Sequence, residues 1–197
     1  YQTFTRTTAI YPAAGQHAPE AIVYVALGLG GECGELVEVL SNPPSNPLGA
    51  PEVLGELGDS YYYLARSCSE VDWAFGEAFY SNMDDSLRFG DAALAREAMT
   101  DYAVAVGRVL ERVKKTMRAG GGMEGLRALV RGQTIWSGEG APKLEVLYRD
   151  ELKTAGAALR RLTVRLGFEP VKVMEANREK LTSRKERGVL HGEGSSR

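Results

Sequence analysis

Cysteine is nearly absent: Cys33 and Cys68 are the only two, and their spacing is not that of metal ligands. That excludes a disulfide framework and a thiolate metal site. Both are expected to be reduced, buried small residues in a cytoplasmic protein. Histidine is as scarce. His17 and His191 each stand alone in a loop and are assigned no role. No Cys or Ser therefore has a His partner to activate it, which removes covalent nucleophilic catalysis. No Glu-x-x-His motif exists, which removes a di-iron carboxylate bundle. Charge of one sign is also lacking, with 24 Lys and Arg against 26 Asp and Glu. A formal net charge of −2 gives no electrostatic case for nucleic acid or an anionic membrane as partner. No apolar run approaches the length of a membrane span. No signal peptide is visible, although the chain begins at Tyr1 and not at methionine. Few stretches alternate with period two, so no substantial sheet is expected.

What is present is helical pattern punctuated by proline and glycine. The 197 residues, 44% of them apolar, suffice for a single all-α domain, residues 1–197, built as a helical bundle. Pro19 opens a helix to about Leu40, and 42–51 (NPPSNPLGAP) is a rigid loop. Pro51 suits the first turn of the next helix, where its missing N–H has no helical partner; that helix runs to about Ser67. Helices are predicted over Val71 to Phe89 and Ala92 to Arg118. Gly120, Gly121 and Gly122 break the chain before a short helix, Met123 to Val130, and a polar loop to Pro142. Lys143 to Leu166 is helical, capped by Gly167. Pro170 opens a last helix to about Arg184, where Arg178, Lys180, Arg184, Lys185 and Arg187 cluster, followed by a polar tail, 186–197.

Four acids stand out against this frame. Glu32 and Glu35 lie three apart and share a helix face; Glu56 and Asp59 repeat the spacing on the next helix. The intervening prolyl loop makes the two helices antiparallel neighbours, so four carboxylates converge. A bare cluster of this kind repels itself, and a hard cation with a preference for oxygen, Mg²⁺ or Mn²⁺, relieves the repulsion. Acids three apart are usually a solvated face. These, however, sit in "LGLGGECGELV" and "VLGELGDSYYYL", among apolar and tiny residues and without Lys or Arg at i±4. Gly31, Gly34, Gly55 and Gly58 cost helix propensity; beside the acids they would let a second helix or a ligand approach closely.

The pattern Glu-x-x-Glu, spacer, Glu-x-x-Asp, with the flanks "ALGLGGECGELVE" and "ELGDSYYYLA", resembles the MazG-like family of all-α nucleoside triphosphate pyrophosphatases. The ends "YQTFTRTTAIYP" and "EANREKLTSRKERGVLHGEGSSR" look like those of its bacterial and phage subgroup. The resemblance covers both ends and 21–68; the middle does not match. It implies Mg²⁺-dependent hydrolysis of a (deoxy)nucleoside triphosphate to the monophosphate and pyrophosphate, with Mn²⁺ able to substitute. Glu32, Glu35, Glu56 and Asp59 would hold the metal, and Glu35 would take the proton of the attacking water. Asn177, Lys180 and Arg184, spaced along one face of the last helix, match family positions that bind the phosphate tail; a solvated basic face has the same spacing. Tyr63, one turn beyond Asp59, would hydrogen-bond phosphate or sugar, while Tyr61, Tyr62 and Tyr63 together also read as core.

Phe4 and Tyr11 are candidates for a base pocket or for hinge packing. Glu38 extends the acidic series as a further ligand or as a surface acid. The hundred or so unmatched residues are read either as a degenerate second copy (18–90 catalytic, 91–185 degenerate) or as ordinary helical similarity. In the first register Val104–Arg108 aligns with Gly31–Glu35 and Glu151–Thr154 with Glu56–Asp59, so Ala105, Arg108 and Thr154 replace three carboxylates. The superfamily's habit of sharing sites between helices implies a homodimer, or a single-chain pseudo-dimer. A dUTPase-like hydrolase of dUTP or dUDP and a non-catalytic nucleotide-binding or scaffold protein remain the alternatives. The base preference is not readable.

Overall fold

The computed structural model describes residues 1–42, 48, 50–80, 89–134 and 143–190. Among them there is no strand, as the all-α reading requires. Helices follow as α1 (Gln2–Thr5), a 3₁₀ turn (Arg6–Thr8), α2 (Pro19–Ser41), α3 (Pro51–Glu70), α4 (Phe75–Phe79), α5 (Ala92–Ala119), α6 (Met123–Val130), α7 (Leu144–Arg165) and α8 (Pro170–Glu186). No helix among the described residues is long and apolar enough to cross a membrane.

The long helices form because their apolar residues recur every three to four positions. On α2 the buried stripe is Ile22, Ala26, Leu29, Cys33 and Leu36; on α3 it is Val53, Leu57, Tyr61, Leu64 and Cys68. α5 contributes Met99, Tyr102, Val106, Val109 and Val113, and α7 contributes Leu144, Tyr148, Leu152, Leu159 and Leu162. These stripes meet in one core. The most extensive helix contact is α5 against α7, followed by α2 against α3. Proline stands in the first turn of α2, α3 and α8. Asp91 caps α5 by accepting from the N–H groups of Ala93 and Leu94 at 3.1 and 3.2 Å. Gly121 and Gly122, at φ 73° and 85°, make the break before α6, and Gly167, at φ 81°, closes α7.

Both cysteines are buried and free, and burial pushes the Cys33 thiol up to about 11. The expected helix over Val71–Phe89 is corrected. α3 ends at Glu70, and among the described residues of that segment only Phe75–Phe79 is helical. Asp72 adopts the left-handed conformation at φ 48°, and Trp73 N–H returns to the Cys68 carbonyl at 3.0 Å, so the chain turns where periodicity alone reads onward. The remainder of that segment, 81–88, lies outside the described residues, as do the prolyl loop at 43–47, the polar loop at 135–142 and His191 with the end of the tail.

The segment before α2 folds over the C-terminal half of α3 around a buried ion pair. Glu70 is fully buried and Arg66 1% exposed, with Nη2 of Arg66 2.5 Å from the Glu70 carboxylate. The Tyr11 hydroxyl donates to Glu70 at 2.5 Å and accepts from Nε of Arg66 at 2.8 Å. Gly15 N–H adds a further donor to Glu70 at 3.0 Å. The donors from Tyr11 and Gly15 satisfy the buried carboxylate and offset part of the cost of desolvating it, while Nη1 of Arg66 is buried with no hydrogen-bond partner among the described residues. Tyr11, a candidate for a base pocket, is thereby committed to the packing of this segment.

Candidate functional site

α2 and α3 run antiparallel: Gly28 meets Tyr63, and Glu32 and Glu35 lie across from Asp59 and Glu56. The approach is close because Gly28 has no side chain. A Cβ there would stand 2.2 Å from Cε1 of Tyr63, so the tyrosine ring occupies the space a side chain would fill. Tyr63 also packs edge-on to Tyr62, and Tyr24 lies between Tyr63 and Tyr11, stacked on the latter at 4.8 Å. Tyr63 is thus half-buried beside the cleft, in the field of Glu32, while Tyr61 and Tyr62 are core. Phe4 packs on Tyr1, with ring centroids 6.5 Å apart.

Glu32, Glu35 and Glu56 each present a carboxylate oxygen within 4.8 Å of the others. Glu32 and Glu56 are half-buried and Glu35 is exposed. Burial first, then the charges of Asp59, Glu35 and Glu56, push the Glu32 carboxyl up to about 8. Burial and Asp59 likewise raise Glu56. Both directions follow from like charges held in a partly dry site. Lys180 opposes the shift at both acids. Glu38 is exposed and stands outside the trio.

Asp59 is close enough to be the largest charge acting on Glu32 and Glu56, but its oxygens are already engaged. Nζ of Lys180 donates to Oδ1 and Oδ2 at 2.7 and 2.6 Å, and Nδ2 of Asn177 donates to Oδ1 at 2.8 Å. Glu32, Glu35 and Glu56 thus form an open trio, and the fourth acid of the expected set, Asp59, faces Glu32 and Glu56 while its oxygens are held by α8. The latch is tight because Gly58 lets α8 approach: a Cβ at Gly58 would stand 2.9 Å from Cβ of Asn177. Tyr1 completes it by donating its hydroxyl to Oδ1 of Asn177 at 2.6 Å. Nothing in the sequence singles out Tyr1 for this position. Arg184 lies one turn beyond Lys180 on α8 and is half-buried. Of the four glycines beside the acids, Gly58 alone mediates a close approach; Gly31, Gly34 and Gly55 face open space.

The α5–α7 pair carries no such cluster at the positions aligned with the acids. Ala105 is buried. Glu151 pairs with Arg112 at 3.1 Å, and the Thr154 hydroxyl is turned back to the Asp150 carbonyl at 3.0 Å. Arg108 is exposed, on the rim of a groove that Arg112, Lys115, Glu111 and Glu151 also line.

Fold and site together define an all-α bundle with an acidic cleft between two antiparallel helices, closed on one side by a basic helix. By sequence the chain is similar to the Gene 37 protein of Mycobacterium phage L5, 33% identical over 79 residues, a match spanning 36% of this chain and 69% of the phage protein. It belongs to the family of that phage protein. No family model matches the chain, and no solved structure matches it.

Proposed function

We propose that this protein is a divalent-cation-dependent nucleoside triphosphate pyrophosphohydrolase acting on the nucleotide pool. The observation that carries the reading is the acidic trio with one oxygen of each acid within 4.8 Å of the others, faced by Lys180 on a separate helix. The donor set fits a hard cation: it is all oxygen, two of its three acids are half-buried, and burial together with the neighbouring acids raises the Glu32 and Glu56 carboxyls. Mg²⁺ or Mn²⁺ would be held by Glu32, Glu35 and Glu56, with Asp59 joining once released by α8. Its chemistry there is to neutralise phosphate charge and to acidify a water.

The chain's own residues do the rest. Glu35 is the most exposed of the trio, so it reaches the incoming water and accepts its proton. Lys180, which faces the acids, and Arg184, one turn further along α8, would compensate a triphosphate's negative charge and stabilise the departing pyrophosphate. Asn177 fixes α8 against α3 and so sets where Lys180 stands. Tyr63 borders the cleft at the position for a phosphate or sugar contact. Gly31, Gly34 and Gly55 leave the mouth open to a ligand.

The test is a panel of the common NTPs and dNTPs incubated with Mg²⁺, with products resolved by chromatography. Monophosphate and pyrophosphate are expected, and Glu35→Gln should lower kcat by about 10²- to 10⁴-fold. Orthophosphate with a nucleoside diphosphate, or no turnover of any member, would overturn the assignment.

A further inference from the structure

Lys180 is bound twice over to the acid that the cation would need. Its ammonium spans both oxygens of Asp59 at 2.7 and 2.6 Å, and the pair is about one-quarter to one-third exposed, 30% for the lysine and 26% for the aspartate. Asn177 fills another lone pair of the same carboxylate. Asp59 can thus give its oxygens to Lys180 or to a cation, but not fully to both. The same lysine is the group that α8 offers to a phosphate chain. We propose that Lys180 is an exchangeable counter-ion, holding Asp59 in the cation-free protein and passing to the substrate's phosphates when a divalent cation takes Asp59. This rests on the proposed metal site, and it adds an order: cation binding frees the phosphate-binding lysine, so cation and triphosphate load in sequence and reinforce each other.

The geometry permits the exchange without refolding. Asn177 remains anchored by Tyr1 at 2.6 Å and by its fit against Gly58, so α8 stays docked while the lysine's flexible stem swings. The lysine needs only to rotate its side chain, a fast motion for a partly exposed residue.

Two measurements on the full chain test this, neither of them a turnover assay. Mn²⁺ affinity of the nucleotide-free protein is measured by titration calorimetry. Lys180→Met should bind Mn²⁺ more tightly than wild type, by roughly two- to tenfold, because a competing, partly exposed ion pair is gone. It should also bind inorganic triphosphate more weakly at saturating Mn²⁺. The second measurement needs no variant. Amine acetylation of wild type, read by mass spectrometry, should label Lys180 faster when Mn²⁺ is added and slower again when inorganic triphosphate follows, with Lys172 as the unchanging reference. If wild type binds Mn²⁺ but Lys180→Met binds it equally or less tightly, or if Mn²⁺ leaves Lys180 labelling unchanged, the exchange is overturned and the metal site stands. If wild type binds no Mn²⁺, the metal site falls and the exchange falls with it.

Discussion

Replacing Gly58 with alanine tests the docking of α8 on α3. The added Cβ would lie 2.9 Å from Cβ and 3.0 Å from Nδ2 of Asn177. Comfortable carbon contacts are about 3.5–4.0 Å, so the helices must part by several tenths of an ångström or more. Asn177 has no free direction, being tied to Asp59 at 2.8 Å and to Tyr1 at 2.6 Å. Overpacking of this kind costs about 1–3 kcal/mol, against a gain of about 1 kcal/mol from removing a mid-helix glycine. Gly31→Ala supplies the same helix gain without the clash, since nothing lies within 4 Å of its added methyl. The two variants should therefore differ by roughly 1–3 kcal/mol, with Gly31→Ala above wild type. For a chain of this size that is a gap of about 2–12 °C in Tm. Thermal unfolding followed by far-UV circular dichroism reads it directly. A Gly58→Ala protein as stable as Gly31→Ala would refute the close approach of α8 to α3, and with it the placement of Asn177 and Lys180.

The remaining predictions concern charge. Folding raises the Glu32 carboxyl from 4.5 to about 8. Between those values the cation-free native state holds a proton that the unfolded chain has released. Stability should fall as pH rises through that window and level off above it, and Glu32→Gln should flatten the slope in urea titrations at stepped pH; an unchanged slope would exclude Glu32 as its source. Glu56→Gln should weaken Mn²⁺ binding at least tenfold by calorimetry, since the trio loses a charged ligand, and unaltered affinity would remove Glu56 from the site. Arg66→Leu should cost about 3–5 kcal/mol, because it leaves the buried Glu70 without its cation; denaturant unfolding that shows less than 1 kcal/mol would mean the pair is open to water. The proposed homodimer is read by light scattering, where a strict monomer would refute it and favour the single-chain pseudo-dimer.

Much of the fold was legible because it rests on local rules. Pro19, Pro51 and Pro170 marked three helix starts, and the bounds of α5, α6 and α7 fall within a residue or two of those that glycine and proline punctuation marked. The turn at Asp72 was not legible, since "SEVDWAF" carries no glycine or proline and its left-handed residue is an aspartate. The acidic trio was readable as paired i, i+3 carboxylates on two neighbouring helices. The engagement of Asp59 was not, because its partners lie 118 and 121 residues away and spacing carries no information at that range. The glycines were legible only as places of possible close approach: Gly58 admits α8, whereas Gly31, Gly34 and Gly55 border open space, and a sequence cannot distinguish an absent side chain that admits a neighbour from one that admits solvent.

The distance along the chain between Asp59 and Lys180 also bears on when the cleft becomes tolerable to the protein. α2 and α3 follow one another closely and can pair early, because short-range contacts form before long loops close. Their acids then face each other with water as the only relief until the last helix arrives. The closure that brings Lys180 home spans 121 residues. The repulsion within the cleft is therefore an early debt of folding that is settled late, and any free cation present during that interval would lower it. The same acids that prepare the site for chemistry thus make the order of assembly sensitive to the ionic composition in which the chain folds.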